Sequence, residues 1–184
     1  MQPVANEQAE AIISFWRDAG YDKWYGKDDA FDEDIRQRFG ALVEKAASGE
    51  LDSWADDAQG ALALLILLDQ FPRNLFRGSP RAFATDAHAR RIADAAIARG
   101  FDDATDTTMR EFFYLPFMHS EELADQDRCL ALYTRARDEN GVKYAHIHRD
   151  IIAKFGRFPH RNPTLGRAMT AEEEEFLKGD VFKG

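Results

Sequence analysis

One cysteine, Cys129, is all the thiol chemistry in 184 residues. That excludes an internal disulfide and a cysteine-based zinc site, and it suits a reducing cytoplasm. Basic charge is also short: 24 Lys and Arg stand against 33 Asp and Glu, a formal net charge of −9. A general nucleic-acid binder carries a basic footprint, so no nucleic-acid partner is expected. No apolar run reaches the ~18 residues that span a bilayer. The N-terminal MQPVANEQAE lacks the basic-then-apolar pattern of a signal peptide. No membrane partner is expected, and a cytoplasmic location is.

Catalytic and metal-binding signatures are missing as well. There is no H-E-x-x-H, no E-x-x-H pair, no G-x-S-x-G and no P-loop. His119-x-Glu121 lacks the P-C-x-x-C that a zinc deaminase needs. His148-Arg-Asp150 matches three letters of a kinase catalytic loop with no glycine-rich loop before it. Neither a metal nor a cofactor is expected. Valine is scarce and no stretch alternates apolar with polar residues, so strands are not expected either.

What remains is helical. Ala61–Leu68 is built only of Leu, Ile and Ala, apolar all round, which marks a helix buried on every side. Pro72 pushes Phe71 out of helical geometry, so this rod is expected to stop near Gln70. That delivers Asp69, Gln70, Arg73 and Asn74 at its end. Before it come a helix over about Ala5–Asp18, a loop from Gly20 to Gly26, and a helix from about Phe31. Ile35, Phe39, Leu42, Val43 and Ala46 form an amphipathic stripe on that helix, and Gly49 ends it. After the rod, Ser79–Pro80 reads as the start of a fourth helix carrying Phe83 to Ile97. Met109, Phe112 and Phe113 mark a short fifth, bent or ended by Pro116. Ser120 reads as the N-cap of a sixth, which places Leu123, Gln126, Leu130 and Tyr133 on one face and ends at Asn140–Gly141. A seventh carries Tyr144, His148, Ile151 and Phe155 and closes at Gly156. After a loop, Thr170-x-x-Glu173 makes a capping box for a short last helix. Glu172–Glu175 reads as a solvated first turn. Short connections favour antiparallel neighbours in a single all-α domain over residues 1–184. The oligomeric state is not legible in this pattern.

Three groups could carry chemistry. The stretch Ile151–Ala171 holds Lys154, Arg157, Arg161 and Arg167 with one histidine and no acid, a local reversal of sign. Arginines with Asn and His nearby suit a carboxylate or phosphate, which points to an anion pocket from Arg157, His160, Arg161 and Asn162. The bland alternative is that these arginines pair with surplus carboxylates, Asp69 included. Second is Tyr114–Glu121 (YLPFMHSE), where His119 could act as a general acid or base and Glu121 could orient it. Ser120 and Glu121 are more simply a cap and a first-turn acid. Third is His148, on the apolar stripe of its helix, where a lone inward histidine is ordinarily a satisfied core residue. There is also an echo: Gln70-Phe-Pro-Arg-Asn74 and Arg157-Phe-Pro-His-Arg-Asn162.

The chain resembles a widespread bacterial family of unknown function with a tetratricopeptide-like fold. The resemblance rests on Phe15–Trp16, LLDQFPRNLFRG at Leu67–Gly78, FFYLPFMHSE at Phe112–Glu121 and FGRFPHRN at Phe155–Asn162. It implies about eight helices, stacked as antiparallel pairs into a superhelical array, and it implies no established activity. A 34-residue repeat is absent from the letters, so the likeness is one of shape.

Three functions follow as expectations. The first is a pocket for a small anionic ligand, with or without turnover. Arg73, Arg157, Arg161 and Asn162 would take ligand charge, with Gln70, Asn74, Tyr114 and His148 lining the site. His119 or His160 would be the acid or base, with Asp69 and Glu121 orienting. The second is an interaction module that receives an acidic peptide on a concave helical face. The third is a buried polar network with no ligand at all.

Overall fold

Ala58–Leu75 runs as one continuous rod through the first part of the chain. The computed structural model describes residues 7–179 and contains helices and turns, with no strand among the described residues. The fold class is all-α. The chain divides into two compact units, Met1–Arg77 with Arg81–Pro116, and Gly78–Pro80 with Phe117–Gly184.

In the first unit, α1 (Glu7–Ala19), α2 (Tyr21–Tyr25) and α3 (Asp29–Ala47) precede the rod. The expected start of α1 at Ala5 lies outside the described residues. Gly20 to Gly26 is not a loop, since α2 occupies it. There the Trp24 indole N–H donates to the Trp16 carbonyl at 2.6 Å. Asp28 caps α3 by accepting the Phe31 amide, so that helix begins earlier than Phe31. The rod is α4 (Ala58–Leu65), a π-turn over Ile66–Gln70 and α5 (Phe71–Leu75). Every residue from Gly60 to Pro72 is buried, as the all-round apolar pattern requires.

Pro72 does not end the rod. The Phe71 amide reaches back to the Ile66 carbonyl, a wide turn that shifts the bonding register by one residue. Pro72 then falls in the first turn of α5, where its missing N–H is not needed. The carbonyl it would have served, Leu68 O, accepts instead from the Thr85 hydroxyl at 2.5 Å. Thr85→Val keeps the shape and removes that donor. It is expected to cost about 1–2 kcal/mol, read as a shifted urea midpoint with an unchanged m-value.

Ser79–Pro80 opens only a 3-10 turn (Pro80–Ala82), and α6 (Asp86–Ala98) starts later, with Thr85 before it. The fifth helix is likewise broken into α7 (Thr107–Arg110), a 3-10 turn and α8 (Leu115–Met118). Pro116 sits in the first turn of α8, so of the two outcomes expected, a bend or an end, it does not end the helical stretch. The eight or so helices expected are therefore more numerous and shorter, because each proline starts a turn as readily as it stops one.

The second unit holds α9 (Leu123–Ala136), α10 (Glu139–Phe155), α11 (Asn162–Leu165) and α12 (Ala171–Lys178). Glu122 occupies the N-cap position of α9. Ser120 instead accepts the Glu122 amide and donates to Asp125 at 2.6 Å. Leu123 is 40% exposed, so it does not share the buried face of Gln126 and Tyr133. α9 ends at Arg137, in a left-handed conformation with φ 56°, and not at Gly141. Gly141 lies inside α10, where a β-carbon would meet the Tyr133 ring at 2.0 Å, so it serves close approach of α9 and α10. Gly156, with φ 69°, closes α10 as expected.

Candidate functional site

Asp69, Gln70, Arg73, Asn74 and Tyr114 belong to the first unit, and each is engaged there. Asp69 is 1% exposed and accepts from the Gln70 amide at 2.7 Å. Arg73 makes two parallel bonds to Asp86, at 2.9 and 3.0 Å, and a third to the Asp69 carbonyl at 2.8 Å. Burial opposes the Arg73 charge, yet the Asp86 and Asp69 carboxylates outweigh it and its pKa is raised. Asn74 donates to Asp32 at 2.7 Å, and Arg77 grips the same carboxylate. The tip of the rod thus ties α6 through Asp86 and α3 through Asp32. Tyr114 donates to buried Asp102 at 2.8 Å.

The second unit gathers the remaining groups around one ring. Phe158 is 1% exposed. His148 packs edge-on to it at 5.7 Å, His160 lies against it at 5.7 Å, and the Arg161 guanidinium covers it at 4.6 Å. Arg161 Nη2 also donates to the His119 carbonyl at 3.0 Å. His148 and Arg161 are buried, whereas His119 and His160 are half-buried.

Local bonding explains why these residues meet. Gly156 turns the chain back after α10. The Phe158 amide then donates to Glu121 Oε1 at 2.8 Å, and its carbonyl accepts from Arg167. Arg167 closes the frame with two bonds to Glu121, at 2.8 and 2.9 Å, and one to Asn162 at 2.8 Å. Burial works against the Glu121 charge. The Arg167 bonds and the Phe158 amide prevail, and its pKa is lowered. Opposite, the Gln126 amide donates to the Met118 and Ser120 carbonyls, both at 2.7 Å, and so braces the turn that carries His119.

Glu173 is not solvated, contrary to the reading of Glu172–Glu175 as an exposed turn. It is 2% exposed and accepts two bonds from Arg157, at 2.7 and 2.8 Å, plus one from Asn162. The capping box with Thr170 forms as expected, and the same carboxylate does both jobs. Arg157 and Asn162 are thereby committed to Glu173, and Arg167 to Glu121. Arg161, His148 and His160 form the other part of the cluster, with the His119 carbonyl bonded to Arg161.

Buried His148 holds its ring Nδ1 at 2.7 Å from the Tyr144 carbonyl. Burial pushes its pKa down to about 3, aided by the charges of His119, Arg161 and His160 and opposed by the Tyr144 bond. It stays neutral at ordinary pH. Cys129 is buried and its thiol is pushed up to about 12 by burial, so it is inert. Among the described residues no group of three His, Cys, Asp or Glu is placed to hold a metal. No helix among them is long and apolar enough to cross a membrane.

The sequence did not single out Phe158, Asp86 or Asp32, and gave Glu173 only as a helix cap. One signal was available for the first. The echo Phe71-Pro-Arg-Asn74 and Phe158-Pro-His-Arg-Asn162 is physical: in each copy the phenylalanine is buried and the proline enters a first helical turn. In each, the asparagine amide donates to a buried carboxylate.

A family profile described as "Bacterial protein of unknown function (DUF924)" matches residues 12–180. The chain is 47% identical to a protein of unknown function from Agrobacterium tumefaciens whose structure is solved. That match covers 96% of this chain and 100% of the other, with a TM-score of 0.92. No curated protein matches.

Proposed function

The chain belongs to DUF924, a bacterial family of unknown function, and from its own side chains we propose that it binds a small anionic ligand in the second unit. One observation carries the reading: two imidazoles, of His148 and His160, and the Arg161 guanidinium converge on the Phe158 ring, and that guanidinium also bonds the carbonyl of His119, with His119 and His160 half open to solvent. Arginine and histidine N–H groups held away from bulk water are suited to oxyanions, because the bonds are charge-assisted and the donors pre-positioned. Arg161 supplies the permanent charge. His119 and His160, half-buried, would supply donors on the solvent side, and proton transfer is open to either.

In this reading Arg157, Asn162, Arg167 and Glu121 form the rigid frame. In the first unit, the tip of the rod (Asp69, Gln70, Arg73, Asn74) is a structural knot that orders helices. A shallow hollow of about 410 Å³ between α1 and α3 is a weaker candidate for an anion. Its polar groups Ser14, Asp18 and Arg38 are exposed, so water competes for any bond they make.

The test is a thermal-shift and calorimetric panel of inorganic phosphate, sulfate and acetate on the wild-type chain and on Arg161→Gln. At least one anion should raise the wild-type melting point by mass action. The variant should lose roughly tenfold or more in affinity, as expected when one charge-assisted bond is removed. A wild-type chain indifferent to all three, at millimolar concentration, would end the proposal.

A further inference from the structure

The first unit holds a second candidate site, independent of the anion cluster. α1 and α3 leave between them a hollow of about 410 Å³, within the size range of small-molecule sites. Its apolar wall is a pair of stacked rings, Phe15 and Phe31, with centroids 5.3 Å apart and planes at 5°. Both residues are only half-buried, so part of each ring stays open. Two opposite charges share the lining, Asp18 on α1 and Arg38 on α3, yet they form no ion pair with each other. Arg38 lies over Phe15, 4.6 Å from the ring centroid, and reaches Asp34 on its own helix at 3.7 Å. An exposed pair one turn apart is worth little, so the guanidinium stays available to a better partner. Lys23 lies over the Phe31 ring and is bonded to Asp28.

Asp18 is the harder of the two to explain by stability. It sits in the last turn of α1, where the helix dipole disfavours an anion. Among the described residues its carboxylate has no ion pair and no hydrogen bond. Nothing in the helix calls for a charge there, whereas the hollow places it beside an aromatic wall, with Ser14 one turn before it. A lone anion entering the hollow meets Asp18, and a lone cation meets Arg38. A zwitterion satisfies both. We propose that the hollow binds a free α-amino acid with an apolar side chain. Its carboxylate faces Arg38, its ammonium faces Asp18, and its side chain lies against Phe15 and Phe31. No covalent step is involved. The charged groups are exposed, so each contributes modestly and apolar contact supplies the rest of the affinity.

Calorimetric titration of the full chain with L-phenylalanine and three truncated relatives tests this. The amine 2-phenylethylamine lacks the carboxylate, 3-phenylpropionate lacks the ammonium, and free glycine lacks the side chain. L-Phenylalanine should bind with a Kd in the millimolar range or tighter. Each aromatic relative should bind about three- to fivefold more weakly, and free glycine should not bind measurably. Asp18→Asn should cancel the advantage over 3-phenylpropionate, and Arg38→Gln the advantage over 2-phenylethylamine. Both side chains are exposed, so neither change disturbs the core. Trp16 stacks on Phe31 at 6.0 Å, and its emission gives a second readout of occupancy. No binding of L-phenylalanine at about 10 mM would remove the site. Equal binding of all three aromatic compounds, or advantages that survive both substitutions, would show that the two charges are not read. The phosphate, sulfate and acetate panel addresses the second unit, so failure of one proposal leaves the other standing.

Discussion

Gly60→Ala should lower the melting midpoint by roughly 6–12 °C, an effect of about 3 kcal/mol on a chain of this length. Gly60 lies in the first turn of α4, under the 3-10 turn Asp52–Asp56. A β-carbon there would sit 1.9 Å from the Trp54 carbonyl oxygen and 2.8 Å from its carbon. Both are backbone atoms, so no rotamer change relieves the overlap and the turn must lift off the rod. The Gly60 amide is also the donor to the Asp57 cap at 2.8 Å, so displacing the turn loosens the start of the helix. Helix propensity runs the other way by about 1 kcal/mol and is outweighed. Gly40→Ala is the matched control. That glycine is in the middle of α3 with no atom within 4 Å of an added β-carbon, and the substitution should stabilise by about 0.5–1 kcal/mol. Thermal melts of the two variants should therefore move in opposite directions. Equal shifts would mean that the Trp54 turn is not seated on Gly60.

The second unit should lose stability in acid through Glu173. The Arg157 bonds come first among the causes that hold its carboxyl at about 2, below the ordinary 4.5. The Thr170 amide and Asn162 add to them, and burial opposes them. A depressed folded pKa means that the unfolded chain takes up the proton first as pH falls. The stabilisation is therefore complete above about pH 4.5 and is lost progressively from there down to about pH 2. Its size is about 2 kcal/mol after allowing for the partial exposure of Arg157. Glu173→Gln should cost a similar amount at pH 7 and abolish this part of the acid dependence. The comparison also cancels Glu121, whose pKa is lowered too and whose contribution runs the same way. Trp16, Trp24 and Trp54 all belong to the first unit, so tryptophan fluorescence is the wrong probe. Far-ultraviolet circular dichroism and amide exchange over α10 and α12 are the right ones. Parallel acid titrations of wild type and variant would refute the assignment.

Much of the fold was legible. The all-round apolar run Ala61–Leu68 could only be an interior helix, the stripe from Ile35 to Ala46 could only be an amphipathic one, and the Thr170–Glu173 box formed as written. These signals are local and periodic. The errors fell at prolines and caps. Pro72 reads as a stop because its neighbours in sequence cannot supply the donor that Leu68 needs. Thr85, 17 residues on, supplies it. Ser120 and Gly141 look like a cap and a stop by composition, yet their roles are set by Asp125 and by the Tyr133 ring.

The candidate site was legible in its parts and not in its assembly. Arg161, His119, His148 and His160 were nameable from residue type, but that Phe158 gathers Arg161, His148 and His160 was not. The reversal of charge over Ile151–Ala171 was real in the letters and is largely cancelled in space, because Glu173 and Glu121 reach Arg157 and Arg167 from outside that stretch.

By itself, then, the sequence determined an all-α chain, its buried rod, its single cysteine and its inventory of charged groups, since helix periodicity and side-chain chemistry are properties of neighbours along the chain. Only the tertiary structure decided which arginine is neutralised and which carboxylate is buried. Those depend on partners many residues away, and burial strengthens each such pairing while making its absence costly.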